Sequence, residues 1–162
     1  MLLALRYLHL LFAFAWFAAV FAASWNMLQA RRTDVWARRA ALLDVNRGLS
    51  AIVALPALLG VGIVGNLLAM QLGHRMGTTP LFMVVNSLWV VLVIVTLAVE
   101  LPSAGALGAL SHAAADAEAR GGEGEPAGWS RELKRWRIAN LLQVLVYLLL
   151  LALMVAPWGT VG

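Results

Sequence analysis

The chain has 162 residues, 62% of them hydrophobic and 12% charged, with a formal net charge of +4 and no cysteine. A soluble domain carries roughly a quarter charged residues, so this composition is that of a membrane protein. The absence of cysteine excludes disulfides, thiolate metal sites, iron–sulfur clusters and covalent c-type haem attachment. Nucleic-acid binding would need a folded basic domain, for which the sequence leaves no room.

Four apolar stretches reach the ~20 residues that a bilayer-spanning helix requires. They cover about 2–25, 49–72, 80–101 and 138–157, and each is too long for a barrel strand. The expected architecture is an all-α membrane protein, an antiparallel four-transmembrane-helix bundle forming one domain over 1–162, with loops at 26–48 and 102–137. The first stretch ends in the small residues Ala22-Ala23-Ser24. Its apolar run is longer than a signal peptide's about 7–15 residues, so a retained first helix is expected.

Along that first span Arg6, His9, Ala13 and Trp16 recur at helical spacing and share a face. An ionisable residue inside a span is costly, and is a functional candidate by default. A neutral imidazole at His9 can ligate haem iron. Arg6, one turn outward, can pair with a propionate or a lipid phosphate, and the small Ala13 leaves room for a flat ring. The first connection carries Arg31, Arg32, Arg38, Arg39 and Arg47, and Thr33–Asn46 has the spacing of a helical extension or a short interfacial helix. In the second span Pro56 predicts a kink. Gly60, Gly62 and Gly65 allow either close helix packing or a cofactor lying against them.

The short connection Gly73–Thr79 holds His74, a second candidate ligand or a solvated histidine, and Arg75. The third span carries Asn86 and ends near Glu100. The second long connection holds Arg120, Arg131, Lys134, Arg135 and Arg137, a flexible Gly121–Gly128 turn, and His112, read as a solvated loop histidine. Ten basic residues in the two long connections against two elsewhere place those connections in the cytoplasm and both termini in the periplasm of a bacterial inner membrane. Trp25, Trp129 and Trp136 then mark the inner interface, and Trp158 the outer one.

At ~1.5 Å per residue, His9, Asn66 and Asn86 fall in one layer of the outer half, with Tyr147 somewhat deeper. Asn46, Arg47, Glu100, Asn140 and Gln143 form a second layer at the inner rim, where a Glu100–Arg47 ion pair is expected in preference to a proton-carrying role for Glu100. The expected cofactor-binding set is Arg6, His9, Trp16, Asn66, Asn86 and His74, with b-type haem iron on His9. The rival reading ties His9 to Asn66 or Asn86 by a structural hydrogen bond. No HExxH, GxSxG or P-loop pattern and no paired carboxylates within a span occur, so no catalytic residues are expected.

The opening Leu5-Arg6-Tyr7-Leu8-His9-Leu10-Leu11, with Trp16 seven residues after His9, resembles the "LH…W" first helix of copper-resistance D-type proteins and of HemJ-type protoporphyrinogen oxidases. In the latter the first-helix histidine is thought to hold haem, which implies the same for His9. The whole chain is similar to the predicted integral membrane proteins of the domain of unknown function 2269 family. The shared features are that opening, the Arg-rich first loop, the short outer turn, the Ala/acid-rich second loop and the closing Leu153-Met154-Val155-Ala156-Pro157. That resemblance implies the fold and no activity. The expected function is an accessory or redox membrane protein holding haem at His9. The alternatives are a redox enzyme acting on a porphyrin or quinone, and a cofactor-free subunit of a respiratory assembly. The expected surroundings are lipid, with other membrane subunits or further copies of the chain as partners.

Overall fold

A computed structural model describes residues 1–74, 79–122 and 124–155. Arg75, Trp158 and the closing Ala156-Pro157 lie outside the described residues. Every regular element among those described is helical. The helices are α1 (Leu2–Arg32), α2 (Trp36–Gly48), α3 (Leu55–Gln71), α4 (Pro80–Val95), α5 (Leu101–Ala119) and α6 (Trp129–Val155). A π-helical turn, Leu49–Ala54, joins α2 to α3, and a second, Thr96–Glu100, joins α4 to α5. Four continuous helices result, Leu2–Arg32, Trp36–Gln71, Pro80–Ala119 and Trp129–Leu153, and each is long and apolar enough to cross a membrane.

Two of these run 36 and 40 residues, well beyond the ~20 that a bilayer core needs. The segments 26–48 and 102–137, expected as loops, are therefore largely helical. In α5 the sequence signal is weak because most of the face it buries is built from small residues. α5 packs Ser103, Ala104, Leu107, Gly108, Ser111 and Ala114 inward, and α2, which packs against it, buries Trp36, Ala40, Leu43 and Asn46. Alanine, glycine and serine let two backbones approach closely but contribute little to a hydropathy window.

Both prolines within the long helices follow the same device. Pro56 and Pro102 each sit in the first turn after a π-helical turn. A proline inside an α-helix lacks its N–H and clashes with the carbonyl four residues back. One wider turn upstream relieves that clash, so the helix passes through instead of ending at residue 101.

The helix ends obey a second common rule. After α3, Gly73 N–H donates to Met70 and His74 N–H to Ala69. After α5, Gly121 N–H donates to Glu118 and Gly122 N–H to Ala117. This is the Schellman arrangement, which needs a left-handed residue, and Gly73 (φ 84°) and Gly121 (φ 80°) supply it.

The interior has two clusters. One joins Trp16, Ala19, Val20, Leu58, Leu92 and Val146. The other joins Ala23, Met27, Leu43 and Leu107 with three tryptophans, Trp36, Trp129 and Trp136. Trp129 and Trp136 are only 3% and 2% exposed, and Trp129 meets Trp36 edge-to-face at 5.3 Å. They are core residues, not the interface markers expected. Trp25, 53% exposed, is the one of that trio on the surface.

Candidate functional site

The polar layer expected around His9 is divided into separate contacts. His9 is half-buried on α1, and its Nδ1 lies 3.1 Å from the carbonyl of Val61 on α3. A carbonyl only accepts, so Nδ1 carries the proton and Nε2 the lone pair. Asn66 and Asn86 bond each other instead: Asn66 Nδ2 donates to Asn86 Oδ1 at 2.8 Å and to the Gly62 carbonyl at 2.7 Å. Asn86 Nδ2 donates to the Phe82 carbonyl at 2.9 Å. The expected His9–asparagine bond is thus replaced by one to backbone. Amides reach their own helix one turn back at little entropic cost, and both asparagines do so.

The glycines of α3 explain where the rings go. A Cβ on Gly60 would stand 2.6 Å from the Phe12 ring, one on Gly65 would stand 2.9 Å from His9 Cε1, and one on Gly62 would fall on the Trp89 indole. Trp89 Nε1 also donates to the Leu58 carbonyl at 2.8 Å. The glycine track is a seat for side chains of α1 and α4. As a test of fit for haem, the donor chemistry of His9 suits one axial nitrogen. The slot between the helices does not suit a flat ring, because Phe12 and Trp89 already fill it. Arg6 is exposed one turn outward, and His74 is exposed past the end of α3. Trp16 belongs elsewhere.

That other place is a buried carboxyl. Glu100 is 1% exposed and closes the second π-helical turn. Ser50, on the first π-helical turn, donates to Glu100 Oε1 at 2.8 Å. Gln143 of α6 donates through Nε2 to Glu100 Oε2 and lies 3.4 Å from Thr96 Oγ1. Trp16 Nε1 donates to Gln143 Oε1 at 3.3 Å. Thr96 passes its hydroxyl proton back to the Leu92 carbonyl at 2.8 Å. One carboxyl therefore connects side chains from all four long helices.

The Glu100–Arg47 ion pair expected from sequence is absent. Arg47 is exposed, and among the described residues the ion pairs are His112–Asp44, Arg131–Glu132 and Arg135–Glu132. Arginine at a helix surface reaches water cheaply, whereas reaching Glu100 would bury its charge. His112 is likewise not a loop residue. It lies on α5, with Nε2 2.9 Å from Asp44 Oδ2 on α2.

The rest of the expected inner layer is shared out. Asn46 donates to the Ala23 carbonyl at 3.0 Å, and Ser24 donates to Asn140 Oδ1 at 2.8 Å. Ser50 and Thr96 were not singled out from sequence. A signal existed: each stands six residues before a proline, Ser50 before Pro56 and Thr96 before Pro102, and each is the first or second residue of a π-helical turn. Compared with known proteins, the chain matches no family model, no curated protein and no solved structure.

Proposed function

We propose that this chain is a multi-pass protein of the bacterial inner membrane that binds and releases a proton at Glu100, in an accessory role without catalysis of its own. The carrying observation is a fully buried carboxyl hydrogen-bonded by Ser50 and Gln143, with no cation in ion-pair reach among the described residues. An ionisable group inside a span is a functional candidate by default, and π-helical turns concentrate at functional sites.

The two protonation states call for two hydrogen-bond patterns. The carboxylate accepts from both Ser50 and Gln143. The acid must donate one proton, and Ser50 is the partner able to reverse, because a hydroxyl both donates and accepts. Its own proton then turns to a carbonyl one turn back. Gln143 stays a donor in both states. Proton uptake is thereby coupled to the bond between the two π-helical turns.

The membrane orientation is part of the same reading. The arginine-rich ends of the helices face the cytoplasm, neighbouring spans run antiparallel, and the exposed Leu3, Leu10, Phe14, Ile63 and Leu149 meet lipid. Supporting the antiparallel order, contacts to α1 descend along the second long helix. Gly65 meets His9, Gly60 meets Phe12 and Asn46 meets Ala23.

Difference infrared spectroscopy across a pH jump tests the proposal. On ionisation the wild-type chain should lose a carboxylic C=O component that is missing from the difference spectrum of Glu100→Gln. Indistinguishable difference spectra for the two chains would refute the reading. A periplasmic reporter fused after Gly162 should be active, and activity only in the cytoplasm would reverse the orientation.

A second reading has one observation in its favour: His9 Nδ1 is held by Val61, which presents Nε2 as a lone-pair donor. Fixing one ring nitrogen on a carbonyl is how metal-binding histidines are oriented. On this reading His9 would hold b-type haem through Nε2, and the group would supply one-electron chemistry when bound. A Soret band abolished by His9→Ala supports it. A chain that stays colourless after haem reconstitution excludes it.

A further inference from the structure

We propose that the groove between α1 and α6 at the arginine-rich end of the molecule is a binding site for an anionic phospholipid. The groove has a volume of about 440 Å³. Its polar end is lined by Arg31, Lys134 and Arg137, and its other end by Leu28, Leu141 and Val144. Ten residues separate Lys134 from Val144, so the groove spans about 15 Å along α6. That is the profile of a lipid crossing from headgroup to acyl chains.

The charge is one-sided. No aspartate or glutamate lines the groove, and none of its three cations has an ion-pair partner among the described residues. Glu132, the nearby acid on α6, is turned away. It accepts from Ser103 of α5 at 3.2 Å and pairs with Arg131 and Arg135.

A second observation points to a ligand rich in acceptor oxygens. Trp136 and Asn140, 2% and 8% exposed, both line the groove. Trp136 Nε1 and Asn140 Nδ2 are buried donors without a hydrogen-bond partner among the described residues. Asn140 Oδ1 shares the single Ser24 hydroxyl proton with the Val20 carbonyl, each at 2.8 Å, and its amide N–H groups are left over. Orphaned buried donors are rare, and each calls for an explanation. The depths match a diacyl phospholipid. The phosphate falls among Arg31, Lys134 and Arg137, and the glycerol ester carbonyls fall one turn deeper, beside Asn140. Basic pockets between helices on the cytoplasmic side hold anionic headgroups in this way.

Native mass spectrometry of the full chain in neutral detergent tests the assignment, with titration of phosphatidylglycerol, phosphatidylcholine and soluble glycerol 3-phosphate. Phosphatidylglycerol adducts should form at the lowest concentration and survive collisional activation. Each cation near a membrane surface contributes roughly a factor of five. The combined Arg31→Gln, Lys134→Gln and Arg137→Gln chain should therefore lose on the order of 100-fold in affinity, and Lys134→Gln alone about five-fold. Arg38→Gln, exposed on α2 outside the groove, should leave binding unchanged. The single variant keeps the test decisive should the triple variant fail to fold. Equal binding of phosphatidylcholine, glycerol 3-phosphate binding as tightly as the lipid, or undiminished binding in Lys134→Gln would each overturn the proposal.

Discussion

Gly62→Ala tests the packing that closes the glycine track. The added methyl would coincide with the Trp89 indole, whereas carbon atoms settle about 3.5–4.0 Å apart. The indole must therefore withdraw from α3, and its 2.8 Å bond to the Leu58 carbonyl goes with it. Overpacking costs about 1–3 kcal/mol, and the lost hydrogen bond about 1 kcal/mol. Replacing a helical glycine with alanine returns about 1 kcal/mol. The net expectation is a loss of about 1–3 kcal/mol, read as the shift in chemical unfolding of the detergent-solubilised chain by circular dichroism. The decisive comparison is the same substitution in a Trp89→Leu background. There the smaller side chain leaves space, and the alanine should cost nothing or stabilise. An equal cost in both backgrounds would refute the seating of Trp89 on Gly62, and with it the claim that the track is closed to a flat ring.

Gln143→Leu should destabilise by about 1–3 kcal/mol, because it leaves the Trp16 indole N–H without an acceptor and Glu100 with Ser50 alone. In the same unfolding assay, Trp16→Phe should then cost less in the Gln143→Leu background than in the wild type, the signature of coupled residues. Trp129→Ala removes a core side chain and should cost about 3–5 kcal/mol, while Trp25→Ala, 53% exposed, should stay within about 0.5 kcal/mol. Tryptophan fluorescence during unfolding separates the two. Gly121→Ala forces a side chain into the left-handed region (φ 80°) at about 1–2 kcal/mol. Gly105→Ala, with nothing within 4 Å of the new methyl, should stabilise by about 0.4–1 kcal/mol.

The polar residues mark where sequence reasoning held and where it stopped. Glu100, Gln143, Asn66 and Asn86 stand out in the sequence because a polar side chain in an apolar run is rare and must find a partner. Depth along the helix, counted at ~1.5 Å per residue, correctly matched Asn66 with Asn86. It also placed Glu100 and Gln143 in one layer, as they are. Depth does not define rotation about the axis. His9 is at the right level for the asparagines, yet its ring nitrogen meets backbone. Arg47 and Glu100 share a layer, and Arg47 faces outward. The π-helical turns enlarge the error, since one extra residue in a turn rotates everything beyond it by about 100°.

The sequence by itself determined the helical class and the four apolar helices, because burial in hydrocarbon is a sum over residues and needs no knowledge of neighbours. Tertiary structure alone decided how far the helices continue. Trp36–Gly48 and Leu101–Ala119 are held by packing against each other, a pairwise property that no single-segment hydropathy records. It alone decided the partner of each buried polar group, because those bonds depend on helix rotation and on two π-helical turns whose trace in the sequence is a hydroxyl and a proline six residues apart.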